Sequence, residues 1–165
     1  MVHDDRSLQE SALRVGEALQ RGGLSLAVAE SCTGGLLAKI LTDGGGASNW
    51  FERGLVVYSN AAKRDLAGVP ERLIEEHGAV SQVVAEALAL GVLGRAPVTH
   101  SVAITGVAGP DGGTVSKPVG TVWIAWGSPA GVDARPCRFA GDRDTVRRAS
   151  VAEALNGVLD RCPGA

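Results

Sequence analysis

Apolar positions in this chain change their spacing several times, and each change marks an element. Leu8, Ala12, Val15 and Leu19 recur at steps of three and four, which predicts an amphipathic helix with one buried stripe. Ser7-Leu8-Gln9-Glu10 is a capping box that would start this helix, and Gly22-Gly23 ends it. The apolar run from Leu24 to Val28 predicts a buried strand, and Leu36 to about Thr42 a second helix. After a glycine-rich loop, Trp50-Phe51 reads as an aromatic core plug. Gly54 to Tyr58 predicts the second strand. Ser59-Asn60 caps a helix that contains Lys63 and Leu66. Pro70 opens a short helix closed by His77-Gly78, and Ser81 caps a longer one with Val84, Leu88 and Val92 inward. Val98 to Ile104 predicts the third strand, with Thr105 at its C-terminal end. Thr121 to Trp126 and Arg135 to Phe139 predict two more, with a hairpin near Gly131 and Asp133. Asp142 caps a final helix whose stripe is Val146, Ala149, Ala152, Leu155 and Leu159.

Strands alternate with helices and end in a hairpin, without an internal repeat or a linker. This order predicts one α/β domain over residues 1–165. It would be a three-layer α/β/α sandwich around a mixed, mostly parallel sheet with an antiparallel edge pair. Composition fits: the 165 residues are 45% apolar and include 23 glycines, enough for one full core. The formal net charge of -2 leaves no basic excess, so no nucleic-acid partner is expected. No apolar run approaches the ~18 residues of a membrane span, and Met1-Val2-His3-Asp4-Asp5 lacks the basic and apolar regions of a signal peptide. Cys32, Cys137 and Cys162 are odd in number and far apart, which suits reduced thiols in a cytoplasmic protein. His3, His77 and His100 show no ligand spacing, so neither a structural zinc nor another cofactor is expected.

Ligands of such sheets bind beyond the C-terminal ends of the strands. Three of these ends carry hydroxyls: Glu30-Ser31-Cys32-Thr33-Gly34-Gly35, Tyr58-Ser59-Asn60 and Thr105-Gly106. The first is a strand-to-helix turn, where free N–H groups and the positive end of a helix dipole can hold a phosphate or an oxyanion. Ser31 is the candidate nucleophile, and it needs a base. No histidine is placed for a Ser-His-Asp arrangement, which leaves Lys63, made neutral by burial or a nearby charge. Only Lys39, Lys63 and Lys117 are lysines among the 16 basic residues, and arginine cannot release its proton. Tyr58 could relay a proton or hold the lysine. The backbone at Thr33, Gly34 and Gly35 could bind the oxyanion. Two plainer readings stay open: Ser31 and Thr33 as simple helix caps, and Cys32 as the nucleophile in place of Ser31. Alternation along the strand lets only one of Ser31 and Cys32 face the site. The loop from Gly106 to Gly113 lacks the lysine of a P-loop and suits a lid or wall whose backbone approaches a ligand. Arg143, Arg147 and Arg148 open the last helix, either as a solvated face or for phosphate or carboxylate recognition.

Six stretches then line up with one family: A-E-S-C-T-G-G, W-F-E-R-G-x-V-V-Y-S-N-x-A-K, H-G-A-V-S, I-T-G-V-A-G-P-D-G-G, K-P-V-G-T-V-W and F-x-G-D-R-x-x-V-R-R. From about Leu8 to Leu159 the chain resembles the C-terminal domain of the competence/damage-inducible protein CinA. Stand-alone members are nicotinamide-nucleotide amidases, and the chain resembles that form. The resemblance implies hydrolysis of nicotinamide mononucleotide to nicotinate mononucleotide and ammonia, in pyridine-nucleotide salvage and without a metal. It places a serine nucleophile on Ser31, its lysine partner on Lys63, and Tyr58 and Thr105 near the reacting amide. Arg143 falls on the arginine of the G-D-R motif, and Gly106 opens the loop beside the substrate. Glu30 is a candidate neighbour for the pyridinium charge, or an anchor for the turn. A homodimer is expected, with Trp50-Phe51, or Trp123 and Trp126, at its interface. A non-catalytic nucleotide-binding domain and a competence- or DNA-damage-associated interaction domain remain the alternatives.

Overall fold

The computed structural model describes residues 3–162, so Met1 and Val2 of the leading segment lie outside the described residues, as do 163–165. In chain order the elements are α1 (Asp5–Arg21), β1 (Leu26–Glu30), α2 (Leu36–Thr42), a 3₁₀ turn (Ala47–Asn49) and β2 (Phe51–Val56). Then follow α3 (Asn60–Ala67), α4 (Glu71–His77), α5 (Gln82–Arg95) and β3 (His100–Gly106). The chain closes with β4 (Thr121–Ser128), β5 (Gly131–Arg138) and α6 (Arg143–Leu159). Among the described residues no helix is long and apolar enough to cross a membrane.

The five strands form one sheet in the order β2-β1-β3-β4-β5. β1 pairs in parallel with both β2 and β3, whereas β4 pairs antiparallel with β3 and β5. Only β4 therefore runs against the others, which makes the sheet mixed and mostly parallel in direction. Alternating side chains divide the core in two. Leu26, Val28, Ile104, Ile124 and Trp126 face a layer that includes Leu8 and Leu19 of α1, Leu37 of α2 and Leu155 of α6. The opposite face is paved with alanine, at Ala27, Ala29, Ala103 and Ala125, and carries α3, α4 and α5. The result is the expected three-layer α/β/α sandwich.

Several boundaries differ from the pattern-based expectation. α1 begins a few residues early, because the Asp4 carboxylate accepts the Ser7 N–H at 2.8 Å and acts as its N-cap. Ser7 Oγ donates instead to the Asp4 carbonyl, 2.9 Å away. β1 runs on to Glu30 because that residue pairs with both Val56 and Ile104, although its charge hides it from a hydrophobic count. β2 starts at Phe51, three residues ahead of the apolar run. Here the pairing with β1 decides, on an edge strand that leaves Glu52, Gly54 and Val56 exposed. Trp50 and Trp126 do not offer an interface. They are 6% and 2% exposed, and Trp126 donates its indole N–H to the Ala154 carbonyl at 3.1 Å.

The alanine face lets α5 lie close to the sheet, where the Ser101 hydroxyl donates to the Ala89 carbonyl at 2.8 Å. α5 also crosses the end of α3 at Gly91, where any Cβ would overlap the Ala67 carbonyl oxygen. Gly94, one turn on, has open space around it. Gly91→Ala is therefore expected to cost about 1–3 kcal/mol through overpacking. Gly94→Ala should be neutral or add up to ~1 kcal/mol through helix propensity. Urea unfolding of the two variants checks this pair, and equal effects would contradict the close crossing.

Candidate active site

β1, β2 and β3 are neighbours running the same way, so the segments that follow them meet at one edge of the sheet. Ser31, Cys32, Tyr58, Lys63 and Thr105 line a single cleft there, together with the loop from Gly106 to Gly112 and Arg143 from α6. Two main-chain bonds hold the edge together. Ser31 N–H donates to the Ile104 carbonyl at 3.0 Å, and Val57 N–H to the Glu30 carbonyl at 2.7 Å.

Lys63 lies on the first turns of α3, whose N-cap Ser59 accepts the Ala62 N–H at 3.0 Å. Its side chain turns inward and is 2% exposed. Nζ sits 3.1 Å from Ser31 Oγ, 3.0 Å from the Val57 carbonyl and 3.0 Å from the Tyr58 carbonyl. Among the described residues no carboxylate pairs with it. Burial without a counter-ion disfavours the ammonium and pulls the Lys63 pKa below its ordinary 10.5. A neutral amine has two N–H donors and one lone pair. In that form the two carbonyls would take the donors and leave the lone pair toward the Ser31 hydroxyl.

Glu30 is 1% exposed, and its carboxylate faces away from the cleft. It accepts the N–H groups of Gly35 at 3.1 Å, Leu37 at 3.0 Å and Ala38 at 2.8 Å. It thus anchors the N-terminus of α2, where a negative charge also meets the helix dipole. This corrects the reading of Glu30 as a neighbour of a pyridinium ring. It also corrects the oxyanion reading of Gly34 and Gly35. Gly34 N–H already donates to the Ser31 carbonyl at 3.0 Å, and Gly35 N–H to Glu30. Neither glycine lines the cleft, nor does Thr33. The amides of Cys32 and Thr33 have no acceptor among the described residues and are the free donors of this turn. The Thr33 hydroxyl is buried without a partner among them. The Thr33 carbonyl accepts from Arg147, at 2.6 Å from Nη2 and 3.2 Å from Nε.

Cys32 packs into the helix-covered core, and burial pushes its thiol pKa up to about 11. It is a thiol at neutral pH, beside a serine that has the amine. Thr105 is 1% exposed, and its hydroxyl donates to the Ala79 carbonyl at 2.8 Å. Tyr58 holds the lysine by its main-chain carbonyl. Its ring stands 60% exposed at the mouth, with the phenol accepting from Arg143 Nη2 at 3.2 Å. Arg143 Nη1 donates to the Gly109 carbonyl at 2.7 Å, so one guanidinium ties Tyr58 to the glycine-rich loop. Sequence reasoning had no view of the Val57, Tyr58 and Ala79 carbonyls as partners. Arg147, read with Arg143 and Arg148 as a solvated face or an anion-binding group, instead spends its guanidinium on the Thr33 carbonyl.

The profile of the CinA C-terminal domain matches residues 8–162. The chain belongs to the CinA C-terminal domain family. A relative from Escherichia coli strain K12, named nicotinamide-nucleotide amidohydrolase PncC, is 49% identical over 92% of this chain and 92% of its own length. A relative of the same name from Pseudomonas putida is 50% identical over 90% of this chain and 92% of its own. The crystal structure of the competence/damage inducible protein CihA from Agrobacterium tumefaciens superposes with a TM-score of 0.91. It is 39% identical and covers 97% of both chains. The CinA family fold thus extends over the whole sheet and both helical layers described above.

Glu30→Ala removes the acceptor of three N–H groups at a buried helix end. It is expected to lower stability by about 2–3 kcal/mol, read as a fall of roughly 4–10 °C in Tm by thermal denaturation. Glu30→Gln, which keeps one acceptor oxygen, should lose less. A thermal midpoint unchanged in Glu30→Ala would contradict the anchoring role.

Proposed function

We propose that this chain is a single amidase domain that hydrolyses the carboxamide of nicotinamide mononucleotide to nicotinate mononucleotide and ammonia. The observation that carries the reading is the buried, carboxylate-free contact of 3.1 Å between Lys63 Nζ and Ser31 Oγ. Relatives named nicotinamide-nucleotide amidohydrolase, which match over 92% of their own length, support the choice of substrate.

Neutral Lys63 takes the Ser31 proton, and Oγ attacks the amide carbon. The oxyanion is received by the free Cys32 amide at the turn. Protonated Lys63 then hands its proton to the departing ammonia, and an acyl-serine forms. Water, deprotonated by the same amine, releases nicotinate mononucleotide. Thr105 and Gly106 wall the reacting amide. Arg143 and the amides of the glycine-rich loop receive the phosphate. The product returns a breakdown product of NAD to pyridine-nucleotide synthesis. Tight binding of the nucleotide by the wild-type chain without ammonia release would favour the non-catalytic alternative.

Ammonia release from the nucleotide is expected to fall roughly 10³-fold or more in Ser31→Ala and in Lys63→Met. Lys63→Arg should not rescue it, since a guanidinium keeps its proton. Cys32→Ser should stay within a few-fold of wild type. Loss of activity in Cys32→Ser with retention in Ser31→Ala would reverse the nucleophile assignment.

The pH dependence follows from the lowered Lys63 pKa. The protonated amine is inactive, so kcat/KM should rise with pH and level off above a pKa below 10.5. The same shift means that the unfolded chain binds more protons between the lowered value and 10.5. This group's contribution to stability therefore rises with pH across that window. A pH–rate profile that stays flat through neutral and alkaline pH would contradict Lys63 as the base.

A further inference from the structure

Two charged side chains line the cleft besides Lys63: Arg143 and Asp111. Asp111 is the only carboxylate on that lining among the described residues. Arg143 is tied to Tyr58 and Gly109, whereas the Asp111 carboxylate is exposed and makes no hydrogen bond or ion pair among the described residues. The loop that carries it is nevertheless pinned. Arg143 pins the loop at the Gly109 carbonyl, and Lys117 Nζ pins its far side to the His77 carbonyl at 2.7 Å. Gly109 and Gly112 flank Asp111 with φ near +85°, a backbone course that residues with side chains rarely follow. The same cleft is lined by the Tyr58 ring, held at its hydroxyl by Arg143 and largely exposed. An aromatic face and a free carboxylate are the two features that attract an organic cation.

We propose that Asp111, together with the Tyr58 ring, selects a nucleotide whose base ring carries a positive charge over the same nucleotide with an uncharged ring. The assignment rests on the amidase reading and adds the specificity determinant that Glu30 does not supply. The cleft then has two poles, with Arg143 receiving phosphate and Asp111 facing the cationic ring. A neutral ring loses the second pole while keeping the carboxamide, ribose and phosphate.

The test uses Ser31→Ala protein, so that ligand is not consumed, and calorimetric titration with two probes. These are nicotinamide mononucleotide and its dihydro form, whose ring is uncharged. Ser31→Ala should bind the charged form more tightly. Adding Asp111→Asn, which keeps size and removes charge, should weaken the charged form roughly three- to tenfold. The dihydro form should stay within twofold, and Asp111→Glu should restore part of the preference. Equal weakening of both probes, as a ribose hydroxyl contact would produce, overturns the proposal, as does no weakening of either. Wild-type ammonia release separates the two levels. Release with an unselective Asp111→Asn effect overturns this assignment alone. Absence of both release and binding overturns the amidase reading and the assignment with it.

Discussion

A primary amine buried without a counter-ion is the constraint around which this molecule is arranged. In water an ammonium is stable and an amine is rare at neutral pH; inside a protein the order can reverse. Lys63 is 2% exposed and meets two carbonyls and one hydroxyl. The carbonyls that hold it belong to the stretch just after β2, the hydroxyl to the turn after β1. The parallel pairing of β1 and β2 therefore sets the distance between Lys63 Nζ and Ser31 Oγ.

The turn after β1 is divided by a second buried charge. Glu30 gathers three N–H groups at the start of α2, and Ser31 takes a fourth from Gly34. What remains unclaimed is the pair of amides at Cys32 and Thr33. Arg147 steadies the Thr33 carbonyl from the other side of the turn. The two buried ionisable groups thus have separate tasks: Glu30 shapes the loop, and Lys63 sits where chemistry can occur.

Much of this was legible in the residues. Helix starts with a side-chain cap, at Ser59 and Asp142, fell where they were read, because a cap is a local hydrogen bond. The order of strands and helices predicted the layers, and Ser31, Lys63, Tyr58, Thr105 and Arg143 do share one cleft. Strand ends were shifted by up to four residues, as at the start of β5, because pairing between distant segments decides them. The assignment of the free amides was illegible for the same reason. Which N–H groups of a turn stay available depends on a carboxylate whose direction only the folded chain defines. The role imagined for Glu30 passed to a residue in an exposed loop, which no periodicity marks. Main-chain carbonyls, which hold the lysine, leave no signature in a sequence at all.

The alanine face of the sheet also bears on how this sequence can drift. Core damage most often arises when a large side chain is cut down and leaves a cavity. At Ala27, Ala29, Ala103 and Ala125 little remains to remove, so that route is nearly closed on this face of the sheet itself, though not at Val84, Leu88 and Val92 of α5, which pack on it. Substitutions there can only add atoms, and added atoms push a helix outward. The sheet surface under α3 and α5 is therefore constrained mainly against gain, and the opposite surface, with its leucines, isoleucines and Trp126, against loss. Two cores of one small protein evolve under different rules, and the stricter ceiling on side-chain size lies next to the amine.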